Sequence, residues 1–276
     1  MKLTPEQLQT LERDGFLLVP RLFSEAEVQV LRDETARLVK VDADYTVKER
    51  GGDVRAIFRV HEDYGPTQSA EFRALSRTPR LMESACQALG DDEVYVFHTK
   101  VNVKPGITGG IWSWHQDFGR WQTDGVPTPN VYTWLVMLDE AEEINGCLYM
   151  VPGSHKGRVV EHVDDPGLGA LNSYAVHRDV VKSILRRSPK PVPLIGPPGT
   201  CVLFHADILH ASGHNLSAND RRQAYVVYNP VANKPHVLEK PRPDHVCSTN
   251  VAPISMGADD GVIRAAEARR RVKATT

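Results

Sequence analysis

Two histidines and an aspartate in this chain have the types and spacing of a metal site. His115 and Asp117 are separated by one residue, so on an extended strand both side chains would point to the same face. A further histidine would complete a 2-His-1-carboxylate triad, which leaves positions open on Fe(II) for a cosubstrate and O2. The His-x-Asp pattern alone is weak, because His205 and Asp207 repeat it.

The region after residue 200 supplies both a third candidate ligand and a candidate anion-binding group. His210 follows a predicted buried strand at 200–204, and Arg221 lies eleven residues beyond it. A buried arginine is costly unless it meets an anion, and its planar guanidinium matches a carboxylate at two points. The distal carboxylate of a dicarboxylic cosubstrate would be a suitable partner. Alternation along the strand leaves open whether Arg221 or Arg222 points inward.

The predicted strand at 94–104 has one apolar and one polar face. Alternation places five core-like residues on the first face: Tyr95, Phe97, Thr99, Val101 and Val103. The second face carries His98, Lys100, Asn102 and Lys104. The pattern alone predicts equally that this polar face lines a site or meets solvent.

Helices and short strands must position these groups. Capping boxes at 4–7 and 24–27 predict two N-terminal helices, and a further helical stretch within 71–89 should restart at Pro79. Short β-branched and aromatic runs predict strands at 15–20, 94–103, 131–138, 147–151, 200–204 and 223–228. An insertion at 160–190 is expected to hold a short helix around 180–185. The pattern indicates helices packed around a β-sandwich.

Several motifs, in order, resemble those of the phytanoyl-CoA dioxygenase superfamily, and within it the bacterial ectoine-hydroxylase-like branch. The resemblance covers roughly residues 10–235 and rests on Lys104-Pro105-Gly106, Trp114-His115-Gln116-Asp117, Trp121, Asp124-Gly125, Pro152-Gly153-Ser154-His155, His210-Ala211-Ser212-Gly213, Asn215 and Arg221. It implies a mainly β fold with flanking helices, built on a double-stranded β-helix (jelly-roll, cupin-like) core. It also implies an enzyme that uses Fe(II), 2-oxoglutarate and O2.

The resemblance further assigns roles to individual residues. It implies metal ligation by His115, Asp117 and His210, gives His205 no ligand role, and places Arg221 on the distal carboxylate of 2-oxoglutarate. Further implied cosubstrate contacts are Lys104, Asn102, Thr133 and Ser212. Implied substrate contacts are His98, Trp121 and Arg55, although a core role for Trp121 and a solvated surface position for Arg55 are equally ordinary.

The expected reaction is hydroxylation of an unactivated C–H bond in a small, polar, amino-acid-like molecule, with release of succinate and CO2. Ectoine hydroxylases carry Gln where His98 stands, which argues against ectoine itself. By the same resemblance the carboxylate of Asp117 favours hydroxylation over halogenation, and desaturation or ring formation stays open. Two alternatives stay open: an iron oxygenase that does not use 2-oxoglutarate, and a non-catalytic binding protein on the same scaffold.

Composition excludes several other classes. A net charge of −2 and a pI of about 6.6 offer no basic field for nucleic acid. No apolar run has the length of a membrane span, and four separated cysteines form no zinc-ribbon pair. The Asp117-Phe118-Gly119 triplet resembles a kinase motif but has no accompanying Gly-rich loop. We expect a cytoplasmic, disulfide-free protein that acts as a monomer or homodimer on a small molecule.

The domain prediction is a single unit over 1–276. Its helical part is expected at 1–92, its jelly-roll core at about 93–235, and a C-terminal extension at 236–276.

Overall fold

The computed structural model describes residues 1–49, 51–157, 162–165, 173–243 and 249–275. The α-helices of these residues are α1 (Pro5–Asp14), α2 (Glu25–Leu38), α3 (Ala70–Leu75), α4 (Pro79–Leu89), α5 (Asp117–Trp121), α6 (Arg178–Arg187) and α7 (Gly261–Thr275). The strands are β1 (Phe16–Val19), β2 (Thr46–Lys48), β3 (Val54–Phe58), β4 (Val94–Lys104), β5 (Trp112–His115), β6 (Tyr132–Met137), β7 (Leu148–Met150), β8 (His162–Asp165), β9 (Ser173–Val176), β10 (Val192–Leu194), β11 (Cys201–His205), β12 (His210–Ser212) and β13 (Arg221–Pro230).

Two antiparallel sheets form the centre of the fold. The major sheet has the order β1-β11-β6-β13-β4-β3-β2, and the minor sheet has the order β10-β7-β12-β5. Leu135 and Tyr225 of the major sheet belong to one buried cluster with Leu148 and Met150 of the minor sheet. The two sheets therefore pack face to face, as the predicted jelly-roll requires, and the predicted class of a mainly β core with flanking helices is confirmed.

The helices cover the outer face of the major sheet. Val101 and Trp134 point outward into the same cluster as Leu31 of α2 and Leu81 of α4. The indole N–H of Trp134 donates to the carbonyl of Leu81 across 3.0 Å, which joins sheet and helix by a polar bond inside an apolar layer. Both predicted capping boxes are present, and α4 restarts at Pro79 as predicted.

A β-bulge in the pairing of β13 with β4 overturns part of the face assignment for β4. The register shifts between Val227 and Tyr228, so that Val227 faces His98 while Tyr228 faces Val96. Tyr95 and Phe97, predicted on the face of Val101 and Val103, therefore belong to a different cluster, with Trp121. The clusters confirm alternation for Val101 and Val103, but one extra residue reverses it nearer the start of the strand.

The inserted region contains more structure than its pattern predicts. The expected helix near 180–185 is α6, and β8 and β9 form an antiparallel hairpin before it. No helix among the described residues is long and apolar enough to cross a membrane. Cys86, Cys147 and Cys201 are buried free thiols, and Cys247 lies outside the described residues.

Candidate metal centre and cosubstrate pocket

Three strand and helix ends bring the predicted ligands together. His115 is the last residue of β5, and His210 opens the neighbouring strand β12, where the two are paired in register. Asp117 begins α5, so the prediction that it shares a strand with His115 was wrong in detail. Gln116 between them is extended, with φ −115° and ψ 129°, and this single residue preserves the shared direction that a strand would give.

The donor atoms of these side chains could hold one metal ion. One ligand atom from each of His115, Asp117 and His210 lies within 4.8 Å of the others. Nε2 of His115 is 3.7 Å from Oδ1 of Asp117, and the two imidazole ring centroids are 4.1 Å apart. Within the described ranges no other group of His, Cys, Asp or Glu meets this criterion. The donor set is that of mononuclear non-haem iron sites.

Backbone carbonyls orient both imidazoles. Nδ1 of His115 lies 2.7 Å from the carbonyl of Ser113, and Nδ1 of His210 lies 2.9 Å from the carbonyl of Ile208. A carbonyl can only accept, so each Nδ1 carries the proton and each Nε2 keeps its lone pair for the centre. Such outer hydrogen bonds are the usual means of fixing the tautomer of a metal-binding histidine.

Burial and mutual charge give the triad suitable protonation states. Burial, assisted by the nearby His210, lowers the pKa of His115 to about 3, and burial lowers the pKa of His210 as well. Burial alone would raise the pKa of Asp117, but its electrostatic interactions with His210, Lys100 and the other neighbouring bases lower it. At neutral pH the imidazoles are therefore neutral and the carboxylate is ionised, as metal binding requires.

Two buried basic side chains, Arg221 and Lys104, line the same cavity. Arg221 is 2% exposed and donates from Nη2 to the carbonyl of Gly146, while its Nε and Nη1 have no hydrogen-bond partner. Lys104 donates to Oγ of Ser212 across 2.8 Å and also contacts the carbonyl of Gly213. Burial, then the charges of Arg221 and Arg55, lower the pKa of Lys104 to about 6. Unpaired donors in this setting fit a carboxylate ligand.

The structure separates Arg221 from its neighbour. Arg221 points between the sheets, whereas Arg222 forms a two-point ion pair with Asp139 at 2.8 Å for each bond. His205, in the second His-x-Asp pattern, accepts the backbone N–H of Asp207 and packs its ring against Tyr132. The choice between Arg221 and Arg222, which alternation left open, is thereby decided, and His205 does not line the cavity.

The remaining predicted cosubstrate contacts lie on the same inner face. Asn102 and Ser212 line the cavity, and Oδ1 of Asn102 has no hydrogen-bond partner. Thr133 is 1% exposed with an unpaired Oγ1, but it does not line the cavity. Its register partners are Phe204 and Val227. A direct cosubstrate contact for Thr133 stays a prediction.

The three predicted substrate contacts do not line the cavity. Trp121 packs edge-on against Phe97 in an apolar cluster. Arg55 is neither solvated nor open to the pocket, because it is 2% exposed and paired with Glu49 at 2.9 Å. His98 is also buried, and its charge acts on Asp117. Their predicted roles rest on the motif resemblance alone.

Sequence reasoning did not select Lys100, which lines the cavity. Its Nζ lies 5.2 Å from the ring centroid of Trp112 and 5.0 Å from that of Tyr225, and it is attracted to Asp117. Burial lowers its pKa. The signal was present, since Lys100 alternates with Asn102 and Lys104 on the polar face of β4, but alternation could not say what that face meets.

Comparison with known proteins gives this geometry a family context. Residues 11–223 match the family model described as phytanoyl-CoA dioxygenase (PhyH). An ectoine dioxygenase of Bordetella bronchiseptica is 35% identical over 260 residues, which cover 89% of this chain and 82% of that protein. An L-proline trans-4-hydroxylase of Streptomyces griseoviridis is 33% identical over 254 residues, covering 88% and 92%.

Solved structures resemble the fold over nearly the whole chain. The crystal structure of EctD from S. alaskensis with 2-oxoglutarate and 5-hydroxyectoine superposes with a TM-score of 0.79 at 30% identity. The match covers 93% of this chain and 88% of that one. A second crystal structure of the same protein, with bound Fe, gives a TM-score of 0.78 at 29% identity and the same coverage.

Proposed function

This chain belongs to the phytanoyl-CoA dioxygenase (PhyH) family and is an Fe(II)- and 2-oxoglutarate-dependent dioxygenase, and we propose that it hydroxylates a small, amino-acid-like substrate. The observation that carries the proposal is the convergence of His115, Asp117 and His210 in one cavity with the unpaired Arg221. A metal triad and a carboxylate-binding group in one cavity are what 2-oxoglutarate needs. Neither an iron oxygenase without 2-oxoglutarate nor a non-catalytic protein needs both.

The proposed iron ligands are His115, Asp117 and His210. With iron bound, the site couples decarboxylation of 2-oxoglutarate by O2 to insertion of one oxygen atom into a substrate C–H bond, yielding succinate and CO2. The protein supplies orientation, since Ser113 and Ile208 fix the two imidazoles.

The proposed cosubstrate pocket is the cationic end of the cavity. Nε and Nη1 of Arg221 would donate to the distal carboxylate, and Lys104 and Ser212 would complete its surroundings. Asn102 and Thr133, on the same inner face, are further proposed contacts of 2-oxoglutarate. Because Lys104 titrates near pH 6 in the empty pocket, the arriving carboxylate would favour its protonated form.

The proposed substrate carries an anionic group that faces Lys100. This lysine lines the same cavity as the metal triad, and its attraction to Asp117 places it beside the proposed ligands. A substrate carboxylate would neutralise the charge of Lys100. The rings of Trp112 and Tyr225, which lie beside this lysine, would enclose the carboxylate. The related ectoine dioxygenases and proline hydroxylase support an amino-acid-like compound, and His98 is proposed to face it as well.

Two measurements test this function. Anaerobic addition of Fe(II) and 2-oxoglutarate should produce a visible charge-transfer band, and its absence would contradict the proposed metal and cosubstrate sites. Succinate release should then be stimulated by amino-acid-like compounds such as L-proline, and not by analogues that lack the carboxylate. Stimulation by acyl thioesters alone would contradict the proposed substrate class.

Lys100 offers a sharper version of the substrate test. K100M should raise KM for a carboxylate-bearing substrate and leave KM for 2-oxoglutarate close to the wild-type value. The matched control is K48M, since Lys48 is an exposed lysine on β2. A K100M enzyme with unchanged substrate KM would remove Lys100 from the proposed site.

We also propose that residues 1–276 form one catalytic domain, with a helical part at 1–92, a core at about 93–235 and an extension at 236–276. The described part of the extension contacts both of the others. The N–H of Ile254 donates to the carbonyl of Val94 across 2.9 Å, and Arg269 pairs with Glu34 and Glu71.

A further inference from the structure

A histidine of the inserted hairpin holds the backbone between two of the proposed ligands. Gln116 is 2% exposed, and its backbone N–H donates to Nε2 of His162 across 3.0 Å. His162 opens β8 and is 8% exposed. A buried backbone N–H needs an acceptor. His162 therefore satisfies the amide that lies between His115 and Asp117.

The chain makes room for this histidine at Gly119. A Cβ atom placed on Gly119 would lie 1.9 Å from Cε1 and 2.0 Å from Nδ1 of His162, so any larger residue would displace the ring. The triplet Asp117-Phe118-Gly119, which has no kinase role here, thus has a structural explanation. Asp117 is a proposed ligand, and Gly119 leaves space for the imidazole of His162. This imidazole supports the turn from His115 to Phe118, which we call the ligand turn.

The opposite side of the same turn is held by the second His-x-Asp segment. Nε2 of Gln116 donates to the carbonyl of Asp207 across 2.7 Å, and the N–H of Phe118 donates to the carbonyl of Ala206 across 3.1 Å. The turn therefore lies between two supports, and His162 is the one that accepts the backbone N–H of Gln116. Rotation of that peptide would swing His115 and Asp117 relative to each other.

We infer that His162 is a positioning residue for the iron site, acting through the Gln116 amide. The inference rests on the proposed ligation by His115, Asp117 and His210. Loss of an outer hydrogen bond that orients metal ligands commonly weakens metal affinity or activity by about 10–100-fold. His162 contacts neither Arg221 nor Lys104 among the described bonds, so cosubstrate affinity at saturating iron should not depend on it.

The decisive comparison is between H162Q and H162L. The two replacements are similar in size, but only glutamine offers an oxygen to accept the Gln116 N–H. We expect H162L to weaken Fe(II) affinity by about 10–100-fold, and H162Q to recover most of it. Affinity is read from the Fe(II) dependence of the anaerobic 2-oxoglutarate charge-transfer band. Equal affinities for both variants and wild type would overturn the inference.

Gly119 provides an independent route to the same contact. G119A should displace the ring and weaken Fe(II) affinity as H162L does. The double variant should be no weaker than either single variant, because both act on one interaction. Additive losses would show that the two residues act separately and would contradict the inference.

A measurement on the metal-free protein separates this inference from the proposed function. The Gln116 amide should exchange slowly with deuterium in wild type and in H177A, a matched control at an exposed histidine of the same insertion, and faster in H162L. If H115A binds Fe(II) normally, the proposed ligand set fails. If H115A loses Fe(II) while H162L keeps both affinity and amide protection, only the role of His162 fails.

Discussion

Buried charged groups are paired differently in the helical layer and between the sheets. In the helical layer Arg80 pairs with Glu27 at 2.5 Å, and Arg269 pairs with Glu34 and Glu71, two acids that are each nearly fully buried. Between the sheets, no carboxylate of a described residue lies within 4.0 Å of Arg221 or Lys104. The buried acids of the helical layer have counter-charges within the fold, whereas Arg221 and Lys104 have none this close.

The difference indicates what each region is for. A buried charge without a partner is unfavourable, so a fold retains one where a ligand supplies the opposite charge. Burial lowers the pKa of Arg221, whereas its ion pairs raise the pKa of Arg80 in spite of burial. The acids of the helical layer are therefore neutralised within the fold, whereas Arg221 keeps unpaired donors that the proposed anion would satisfy.

The largest effect should follow removal of a proposed ligand. H210A should lower turnover by more than about 100-fold, because only two of the three proposed metal ligands would remain. This loss exceeds the one that usually follows removal of a hydrogen bond to a metal ligand. Fe(II)-dependent succinate formation measures it. H205A, in the second His-x-Asp pattern, is the control and should retain turnover per folded molecule. Comparable losses in both would contradict the chosen ligand set.

Removal of the unpaired arginine should affect binding and not folding. R221M should raise KM for 2-oxoglutarate by about 100-fold, since two hydrogen bonds to a charged group together contribute roughly 3 kcal/mol. The Tm of the ligand-free protein should stay or rise, because a buried unpaired cation is removed. Steady-state kinetics and thermal unfolding test this, with R222M as a control for kinetics. A fall in Tm without a change in KM would mean that Arg221 stabilises the fold and does not bind 2-oxoglutarate.

Removal of a paired arginine should show the opposite pattern. R269M should lower the free energy of unfolding by about 2 kcal/mol, because the buried carboxylate of Glu71 loses its cation. KM for 2-oxoglutarate should be unchanged. Urea unfolding provides the measurement, and R270M on the same helix is a matched control. A kinetic defect in R269M at full stability would mean that the helical layer serves the site directly.

The smallest effect concerns pH. Lys104 has a pKa of about 6 in the empty pocket, and a bound carboxylate would raise it. Above pH 6, binding of 2-oxoglutarate would therefore take up a proton, and its Kd should increase with pH by up to about tenfold per unit. Titrations at several pH values should show this slope in wild type and lose it in K104M. A slope retained in K104M would assign the proton elsewhere.

Local patterns predicted the elements because they depend on near neighbours in the chain. The capping boxes of α1 and α2, the restart at Pro79 and the short strands after residue 93 follow from backbone hydrogen bonding and side-chain periodicity. The ordered motifs also selected His115, Asp117 and His210. The predicted faces of Tyr95 and Phe97 were wrong, because one β-bulge in the pairing of β4 reverses the alternation. Side-chain periodicity does not reveal such an extra residue.

The sequence by itself determined the fold class, the ligand types and the presence of a cationic strand face. Only the tertiary structure decided that Arg221 points inward while Arg222 pairs with Asp139. It likewise decided that Arg55 forms an ion pair with Glu49 and that His162 contacts the backbone of the ligand turn. The physical reason is that a side chain's partner is set by which elements pack against it. Those partners lie tens of residues away along the chain, and no local pattern specifies them.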